Sequence, residues 1–243
     1  MATEPETVLY SKHGPIAHVV LNRPRVINAY NIQMRDELFQ TLEAVRDDPD
    51  VRVAILRGAG DRGFCAGADL TEFGTAPSQA VARQVRWERD IWGLFLSIRK
   101  PLVAALHGYV VGSGVEMACL CDLRIASDDA VFSMPEVALG MVPAAGGTQT
   151  LPRVVGVGRA LEAVLTNRRI TARDALGMGL VHRVVSRDAL SDESERIARI
   201  LVSRSTGAIA GAKAAILMGM DLHLSQGLEL EAQLAVQVMG RPA

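Results

Sequence analysis

The chain has 243 residues, 49% of them hydrophobic, which is enough for one substantial core with at most a small appended unit. Its 26 basic and 27 acidic residues leave a formal net charge of −1, whereas a nucleic-acid-binding protein usually carries a basic excess. No apolar run reaches the ~20 residues that span a bilayer, and the acidic start is not typical of a signal peptide, so we expect a cytoplasmic protein.

The predicted elements form two parts, an alternation of strands and helices followed by a mostly helical region. Hydrophobic runs and turn residues predict strands at 8–11, 16–21, 51–57, 102–106, 123–126, 130–132 and 181–185. Helical spacing predicts helices at 31–46, 79–97, 115–120, 159–165, 172–176, 188–203, 208–220 and 228–239. Such an alternation is typical of sheets covered by helices.

The last predicted helix carries an apolar face. Leu228, Ala232, Ala235, Val236 and Met239 lie along one side of it. Such a face must be covered, either by the body of the chain or by another subunit.

The cysteines and histidines form no recognisable disulfide or metal pattern. Cys65, Cys119 and Cys121 are an odd number without a CxxC pair, and we interpret them as small buried residues in a reducing compartment. His107 and His182 have no metal-ligand spacing to another ligand residue, so we interpret both as core or surface histidines. We therefore expect no metal site.

A glycine turn, Gly112-Ser113-Gly114, lies between a buried strand and the start of a helix. Its free backbone N–H groups and the helix dipole favour negative charge, either a phosphate or an enolate oxygen. A tight turn without a ligand and a dinucleotide-binding turn both remain open, although the GxGxxG pattern is incomplete. Ser113 has no GxSxG context, which argues against a serine hydrolase.

Two glutamates twenty positions apart are candidates for proton transfer. Glu116 falls on the first turn of the short helix, among apolar residues. It is either a catalytic group or a charge that stabilises the helix N-terminus. Glu136 follows a proline and precedes the glycine-rich stretch 140–149. It is either a catalytic carboxylate or a residue of a turn. Asp69 lies in a second tight turn, and we interpret it as a residue that caps or turns the chain rather than as a catalytic group. Two carboxylates and two turns with exposed amides suit chemistry on a carbonyl.

Seven short motifs follow one another along the chain. In order they are Leu21-Asn22-Arg23-Pro24, Asn28-Ala29, Phe64-Cys65-Ala66-Gly67-Ala68-Asp69-Leu70, Gly112-x-Gly114-x-Glu116, Pro135-Glu136-x-x-Leu139-Gly140, Gly146-Gly147-Thr148-Gln149 and Ala172-x-Asp174-Ala175-x-x-x-Gly179-Leu180-Val181. This ordered series resembles the enoyl-CoA hydratase/isomerase (crotonase) family over roughly residues 7–240. Each motif alone is modest evidence, but the series is specific.

The resemblance implies an α/β fold built as a spiral of ββα units with two roughly perpendicular sheets. It implies a core at 1–200 and a helical trimerisation region at 201–243. The substrate would be an acyl-CoA thioester, and no other cofactor, metal, nucleic acid or membrane would take part. The assembly would be a homotrimer or a hexamer made of two trimers.

The resemblance also implies roles for single residues. Ala68 and Ser113 would supply the N–H groups of an oxyanion hole, Glu116 would activate water, and Glu136 would exchange the proton at the α-carbon. Both glutamates together favour a hydratase, because related isomerases often keep only the counterpart of Glu136. The residues expected to bind the CoA or acyl group are Arg25, Cys65, Ala66, Gly67, Asp69, Leu70, Gly112, Met141 and Ala144.

Three departures from the family pattern bear on activity. Ser113 and Ala144 stand where glycine is common, and the methyl group of Ala144 crowds the expected place of the attacking water. The chain also ends where family members often continue with a helix that covers CoA. Hydration is therefore the favoured hypothesis, while double-bond isomerisation, CoA binding with little turnover and nicotinamide-dependent oxidoreduction remain open. We expect the segment 74–86 to shape the acyl pocket.

Overall fold

Two mixed β-sheets form the centre of the fold in the computed structural model, which describes residues 6–72, 75, 78, 84 and 88–240. The larger sheet has the order β1 (Val8–His13), β2 (Ile16–Leu21), β3 (Val53–Gly58), β5 (Leu102–Leu106), β7 (Leu123–Ser127) and β10 (Arg183–Val185). The smaller sheet has the order β4 (Gly63–Cys65), β6 (Tyr109–Val111), β8 (Val131–Ser133) and β9 (Ile170–Thr171). The β1–β2 and β8–β9 pairs are antiparallel, and the other pairs are parallel.

The central strands of the larger sheet are buried on both faces. Every residue of β2 and β5 is buried, which explains why their sequences are continuous apolar runs rather than alternating ones. The predicted hairpin between β1 and β2 is confirmed, and Gly14 has the positive φ of +59° that the tight turn requires.

A spiral of ββα units connects the two sheets. Each turn adds one strand to the larger sheet and the next strand to the smaller one, as in β3–β4, β5–β6 and β7–β8. The helices that follow these pairs are α2 (Ile91–Ser97), α3 (Ser113–Leu120) and α4 (Gly147–Val155). The predicted spiral is therefore confirmed.

The remaining helices surround this spiral. They are α1 (Ile32–Asp47), α5 (Val157–Thr166), α6 (Ala172–Gly177), α7 (Leu190–Val202), α8 (Thr206–Gly219) and α9 (Leu224–Met239). Short 3₁₀ helices lie at Pro24–Val26, Leu70–Glu72, Val137–Leu139 and Arg187–Ala189. Helix α1 begins where predicted, because the side chain of Asn31 accepts the N–H of Met34 as its cap.

Two helix predictions need correction. The single helix predicted at 79–97 is interrupted: Gln84 and Glu88 are helical, and Asp90 then caps a separate helix from Ile91 by accepting the N–H of Gly93 at 3.0 Å. Residues 79–83 and 85–87, including Trp87, lie outside the described residues, as does most of the segment 74–86. Helix α4 was not predicted, and it begins at Gly147 inside the glycine-rich stretch 140–149.

Helices α8 and α9 expose most of their apolar side chains. Neither helix contains a buried residue, and Leu224 and Met239 are 79% and 77% exposed. The apolar face predicted around Leu228 is therefore not covered by the described part of the same chain. No single helix among the described residues is long and apolar enough to span a membrane, although 187–202 and α8 meet the criterion together across a bend of 104°.

Candidate active site

Three turns at one edge of the smaller sheet converge on a single cavity. They follow the carboxyl ends of the adjacent parallel strands β4, β6 and β8, and they carry Ala68, Ser113 and Glu136 respectively. Because successive turns of the spiral place equivalent strands side by side, residues far apart in sequence become neighbours here.

The first turn leaves one amide without a partner. Gly67 adopts a φ of +94°, and its carbonyl accepts the N–H of Tyr30 at 2.8 Å. The carbonyl of Tyr30 accepts the N–H of Asp69 at 2.9 Å. These two bonds hold Ala68 from both sides, while the N–H of Ala68 donates to no group among the described residues. The turn therefore presents a fixed donor.

The second turn leaves an amide at a helix N-terminus. Gly112 has a φ of +50° and donates its N–H to the carbonyl of Ser133 at 2.9 Å. The first helical bond of α3 runs from the N–H of Glu116 to the carbonyl of Gly112, so the amide of Ser113 has no intrahelical acceptor. A Cβ atom on Gly67 would lie 3.8 Å from the Cα of Gly112, which shows how closely the two turns pack.

Glu116 is a buried carboxylate held by the start of α4. It is only 2% exposed, and its Oε1 accepts the N–H of Gly147 at 2.8 Å and that of Ala145 at 3.2 Å. Burial raises the pKa of Glu116, the amide of Gly147 opposes this shift, and the nearby charge of Glu136 adds to it. Oε1 holds both amide bonds, and a side-chain hydrogen bond from Ser113 also opposes the rise in the pKa of Glu116.

Glu136 combines burial with an unsatisfied oxygen. Its Oε2 atom is inaccessible and has no hydrogen-bond partner in the described part of the chain. Burial raises the pKa of Glu136. Its Oε1 atom lies against Gly112, where an added Cβ would be only 2.7 Å away. This environment favours the protonated carboxylic acid, which can donate a proton.

The cavity around these groups has a volume of about 750 Å³ and is of the size that holds small ligands. All four residues predicted to be catalytic line it. Six of the nine residues predicted to bind the substrate also line it, namely Ala66, Gly67, Leu70, Gly112, Met141 and Ala144.

The other three predicted binding residues do not line this cavity. Arg25 is exposed in a 3₁₀ helix, and Cys65 is fully buried. Asp69 forms a turn by accepting the N–H and hydroxyl of Thr71, and it pairs with Arg23 at 2.9 Å. Arg23 is thus engaged in an ion pair with Asp69. A role in binding CoA stays a prediction for these residues.

The cavity is also lined by residues that were not predicted as ligand contacts, including four aromatic or basic side chains. Tyr30 and Arg35 come from the start of α1, and Arg89 and Trp92 come from the start of α2. Trp92 was interpreted as a packing residue, and it does stack on Phe95 with ring centroids 6.5 Å apart. Helical spacing gives no signal for which of these side chains turns toward a cavity, because that depends on how the helices pack.

The remaining candidate groups have structural partners. His107 contacts the carbonyl of Gly60 at 3.0 Å, and burial lowers its pKa to about 4. His182 accepts the N–H of Arg124 at 3.0 Å. The three cysteines are free, as predicted, and two of them are buried. Within residues 6–72, 75, 78, 84 and 88–240 no group of His, Cys, Asp and Glu is arranged to hold a metal ion.

Comparisons with known proteins agree with this geometry. A family model described as enoyl-CoA hydratase/isomerase matches residues 11–241. The crotonyl-CoA hydratase of Syntrophomonas wolfei is 36% identical over 93% of this chain and 87% of its own length. The (E)-benzylidenesuccinyl-CoA hydratase of Thauera aromatica is 36% identical over 92% of this chain and 86% of its own. The crystal structure of an enoyl-CoA hydratase from Bacillus anthracis superimposes with a TM-score of 0.91 at 35% identity, covering 97% and 92% of the two chains.

Proposed function

The chain belongs to the enoyl-CoA hydratase/isomerase family, and we propose that it adds water across the double bond of a 2-enoyl-CoA thioester. One observation carries this proposal: two carboxylates with different partners, Glu116 and Glu136, line the same cavity as two turns with free amides. Hydration needs one group that accepts a proton and one that donates it, together with donors for the thioester oxygen.

The two amides stabilise the charge that develops on the substrate. The thioester oxygen accepts the N–H groups of Ala68 and Ser113 and becomes an enolate oxygen when water attacks the β-carbon. Fixed donors of this kind contribute a few kcal/mol each, on the order of 10²–10³ in rate. The helix dipole of α3 adds to this effect, since Ser113 is its first residue.

The two glutamates divide the proton transfers between them. Glu116 is held by the amides of Gly147 and Ala145, which favour its ionised form, and it removes a proton from the attacking water. Glu136 has an oxygen without a donor, which favours its protonated form, and it delivers that proton to the α-carbon. The product is a 3-hydroxyacyl-CoA, and the enzyme is ready for another cycle after the two protons have been exchanged with solvent.

Substitution of Glu116 by glutamine tests the proposal. Glutamine keeps an oxygen that can accept both amide bonds but cannot act as a base, so hydration falls on the order of 10²–10⁴-fold. The assay follows the loss of conjugated-thioester absorbance with a short 2-enoyl-CoA. Equal rates in the wild type and in Glu116→Gln would contradict the proposal.

Double-bond isomerisation is the second candidate, and the position of Ala144 favours it. Its methyl group lines the cavity next to Ala145, whose amide holds Glu116, and therefore takes space near the attacking water. Isomerisation needs only a proton relay at Glu136. Conversion of a 3-enoyl-CoA to a 2-enoyl-CoA that survives in Glu116→Gln would support this alternative.

We also propose that α8 and α9 form the contact between subunits, as in a trimer or a pair of trimers. Their exposed side chains include Leu224, Leu228, Val236 and Met239, and patches of this kind usually mark interaction sites. Light scattering should give three or six times the chain mass of 26.0 kDa. A monomer at micromolar concentration would contradict this assembly.

A further inference from the structure

Two arginine side chains line the same cavity as the two glutamates, and hydration of a simple hydrocarbon chain does not require them. They are Arg35 from α1 and Arg89 from the residue before the cap of α2. Building on the proposed hydratase function, we propose that Arg89, assisted by Arg35, binds a carboxylate on the acyl group. The substrates would then be 2-enoyl-CoA thioesters whose acyl chain is itself anionic.

Arg89 has no ionic partner within the described residues. Its guanidinium carbon lies 5.1 Å from the centre of the Phe39 ring, and this contact holds the group without using its N–H donors. Of the neighbouring acids, Asp90 also lines the cavity but is held by the N–H of Gly93, which its Oδ1 accepts, and Glu88 accepts the side-chain amide of Gln84 at 2.8 Å; neither forms an ion pair with Arg89 within the described residues. A fixed cation in a cavity wall favours an anionic ligand, and guanidinium binds carboxylate with two parallel hydrogen bonds.

The preceding part of the chain offers no acid that would neutralise Arg89. Residues 73–87 contain no aspartate or glutamate and contain two further arginines, Arg83 and Arg86. Whatever position that segment takes, its side chains add positive charge and no negative charge. The excess of cations near the start of α2 therefore follows from the sequence alone.

Arg35 is a weaker second donor. Its Nε and Nη2 atoms both contact Oδ1 of Asp36 at 2.9 Å, which partly neutralises it and fixes its orientation. Its Nη1 atom takes no part in this pair, and the side chain is 21% exposed, so Nη1 can donate to a ligand. Arg89 therefore supplies the charge, and Arg35 supplies an additional hydrogen bond.

Tyr30 connects these arginines to the reacting thioester. Its N–H donates to the carbonyl of Gly67, directly beside Ala68, and its side chain lines the same cavity as Arg35. The ring of Tyr30 lies 6.1 Å from that of Trp92 at an angle of 41°, so two aromatic side chains form an apolar wall. The acyl group would cross this wall with its carbon chain and reach the arginines with its far end.

The phosphates of CoA are the other possible source of negative oxygen atoms, and a binding experiment separates the two sources. Calorimetry would compare three unreactive ligands: CoA, a saturated acyl-CoA, and the acyl-CoA of equal length that ends in a carboxylate. The proteins would be the wild type, Arg89→Leu, and Arg99→Leu, which removes an exposed charge outside the cavity lining. Arg89→Lys would show whether a positive charge is enough to bind the carboxylate without the two parallel hydrogen bonds of a planar guanidinium.

We expect the wild type to bind the carboxylated ligand on the order of 10- to 100-fold more tightly than the neutral one. Arg89→Leu should reduce this ratio to near one, Arg89→Lys should restore part of it, and Arg99→Leu should leave it unchanged. A wild-type ratio near one overturns the inference. So does an equal loss of affinity for all three ligands in Arg89→Leu, which would assign Arg89 to the CoA phosphates.

Binding and hydration measurements together distinguish this inference from the proposed reaction. The binding ratio does not depend on turnover, so it can be positive even if no 2-enoyl-CoA is hydrated. Hydration of neutral and carboxylated 2-enoyl-CoA at equal kcat/KM would support the reaction and overturn the carboxylate preference. Absence of hydration with both, together with a binding ratio above 10, would overturn the reaction and retain the preference.

Discussion

Substitution of Gly147 by alanine tests whether the position of Glu116 determines the rate. A Cβ atom at residue 147 would lie 2.7 Å from Oε1 and 3.1 Å from Cγ of Glu116, and 2.8 Å from Cε of Met134. The methionine can move, because Cε is the end of a flexible chain. The carboxylate cannot move without lengthening its 2.8 Å bond to the amide of Gly147.

The size of the effect follows from that bond. A hydrogen bond to a charged group contributes about 1.5–3 kcal/mol, and 1.36 kcal/mol corresponds to tenfold in rate. Loss of the bond in the transition state therefore lowers kcat about 10- to 100-fold. Stability should change little, since Gly147 begins α4 and alanine is the better helix former.

The assay is steady-state hydration of a 2-enoyl-CoA by the wild type, Gly147→Ala and the control Gly158→Ala. Gly158 lies in α5, and an added Cβ there would meet nothing within 4 Å. We expect a lower kcat with a nearly unchanged KM in Gly147→Ala and no change in the control. A kcat within twofold of wild type, in a protein with a normal melting temperature, would refute the argument that this contact positions Glu116.

Three further predictions concern other parts of the molecule. Glu136→Gln should raise the melting temperature at pH 8 and have little effect near pH 4. Burial raises the pKa of Glu136, so the folded protein is more stable when this carboxyl is protonated, and that stability is lost as the pH rises through its pKa. A gain in melting temperature that does not vary with pH would contradict this. Ala144→Gly should increase kcat for hydration severalfold in the absorbance assay by making room for water, and an unchanged kcat would show that the methyl group does not crowd it. Asn28→Ala should lower the free energy of unfolding by ~2–4 kcal/mol in denaturant titration, since buried Asn28 bonds to Arg23, Ala59, Gly63 and Phe64; a loss below 1 kcal/mol would show that water replaces these bonds.

The elements with the clearest patterns were predicted well. The strands at 16–21 and 102–106 have their observed limits, because a strand buried on both faces reads as one apolar run bounded by turn residues. Helix α1 was predicted from Met34, Leu38, Leu42 and Val45, and all four residues are buried. In both cases the hydrophobic pattern of the sequence matches which residues are buried in the folded protein.

The missed elements depend on contacts that a local pattern does not contain. Strands β4 and β6 have three residues each and gain their partners only when successive turns of the spiral stack. Helix α4 begins with glycines and contains Pro152, so its sequence favours a loop. Its first amide is nevertheless fixed, because Gly147 donates to Glu116 from another turn of the spiral.

The candidate site was predicted in part. The resemblance indicated Ala68, Ser113, Glu116 and Glu136, and all four line one cavity. Arg89 gave no such signal, because a charged residue within a predicted helix is most often solvated. Its place in the cavity wall results from the packing of α2 beside α1, which brings its guanidinium over the ring of Phe39.

The groups proposed for proton transfer and the groups proposed to select the acyl chain lie in different parts of the spiral. The groups proposed for the reaction follow β4, β6 and β8 and are fixed by the smaller sheet, whereas Arg35 and Arg89 belong to helices outside it. Changes in the stretch between β4 and α2 can therefore alter which acyl groups are accepted without moving Glu116 or Glu136. A lineage with this architecture can acquire new substrates by varying the residues between Asp69 and Ile91, while the turn at Ala68 and the two glutamates stay constant.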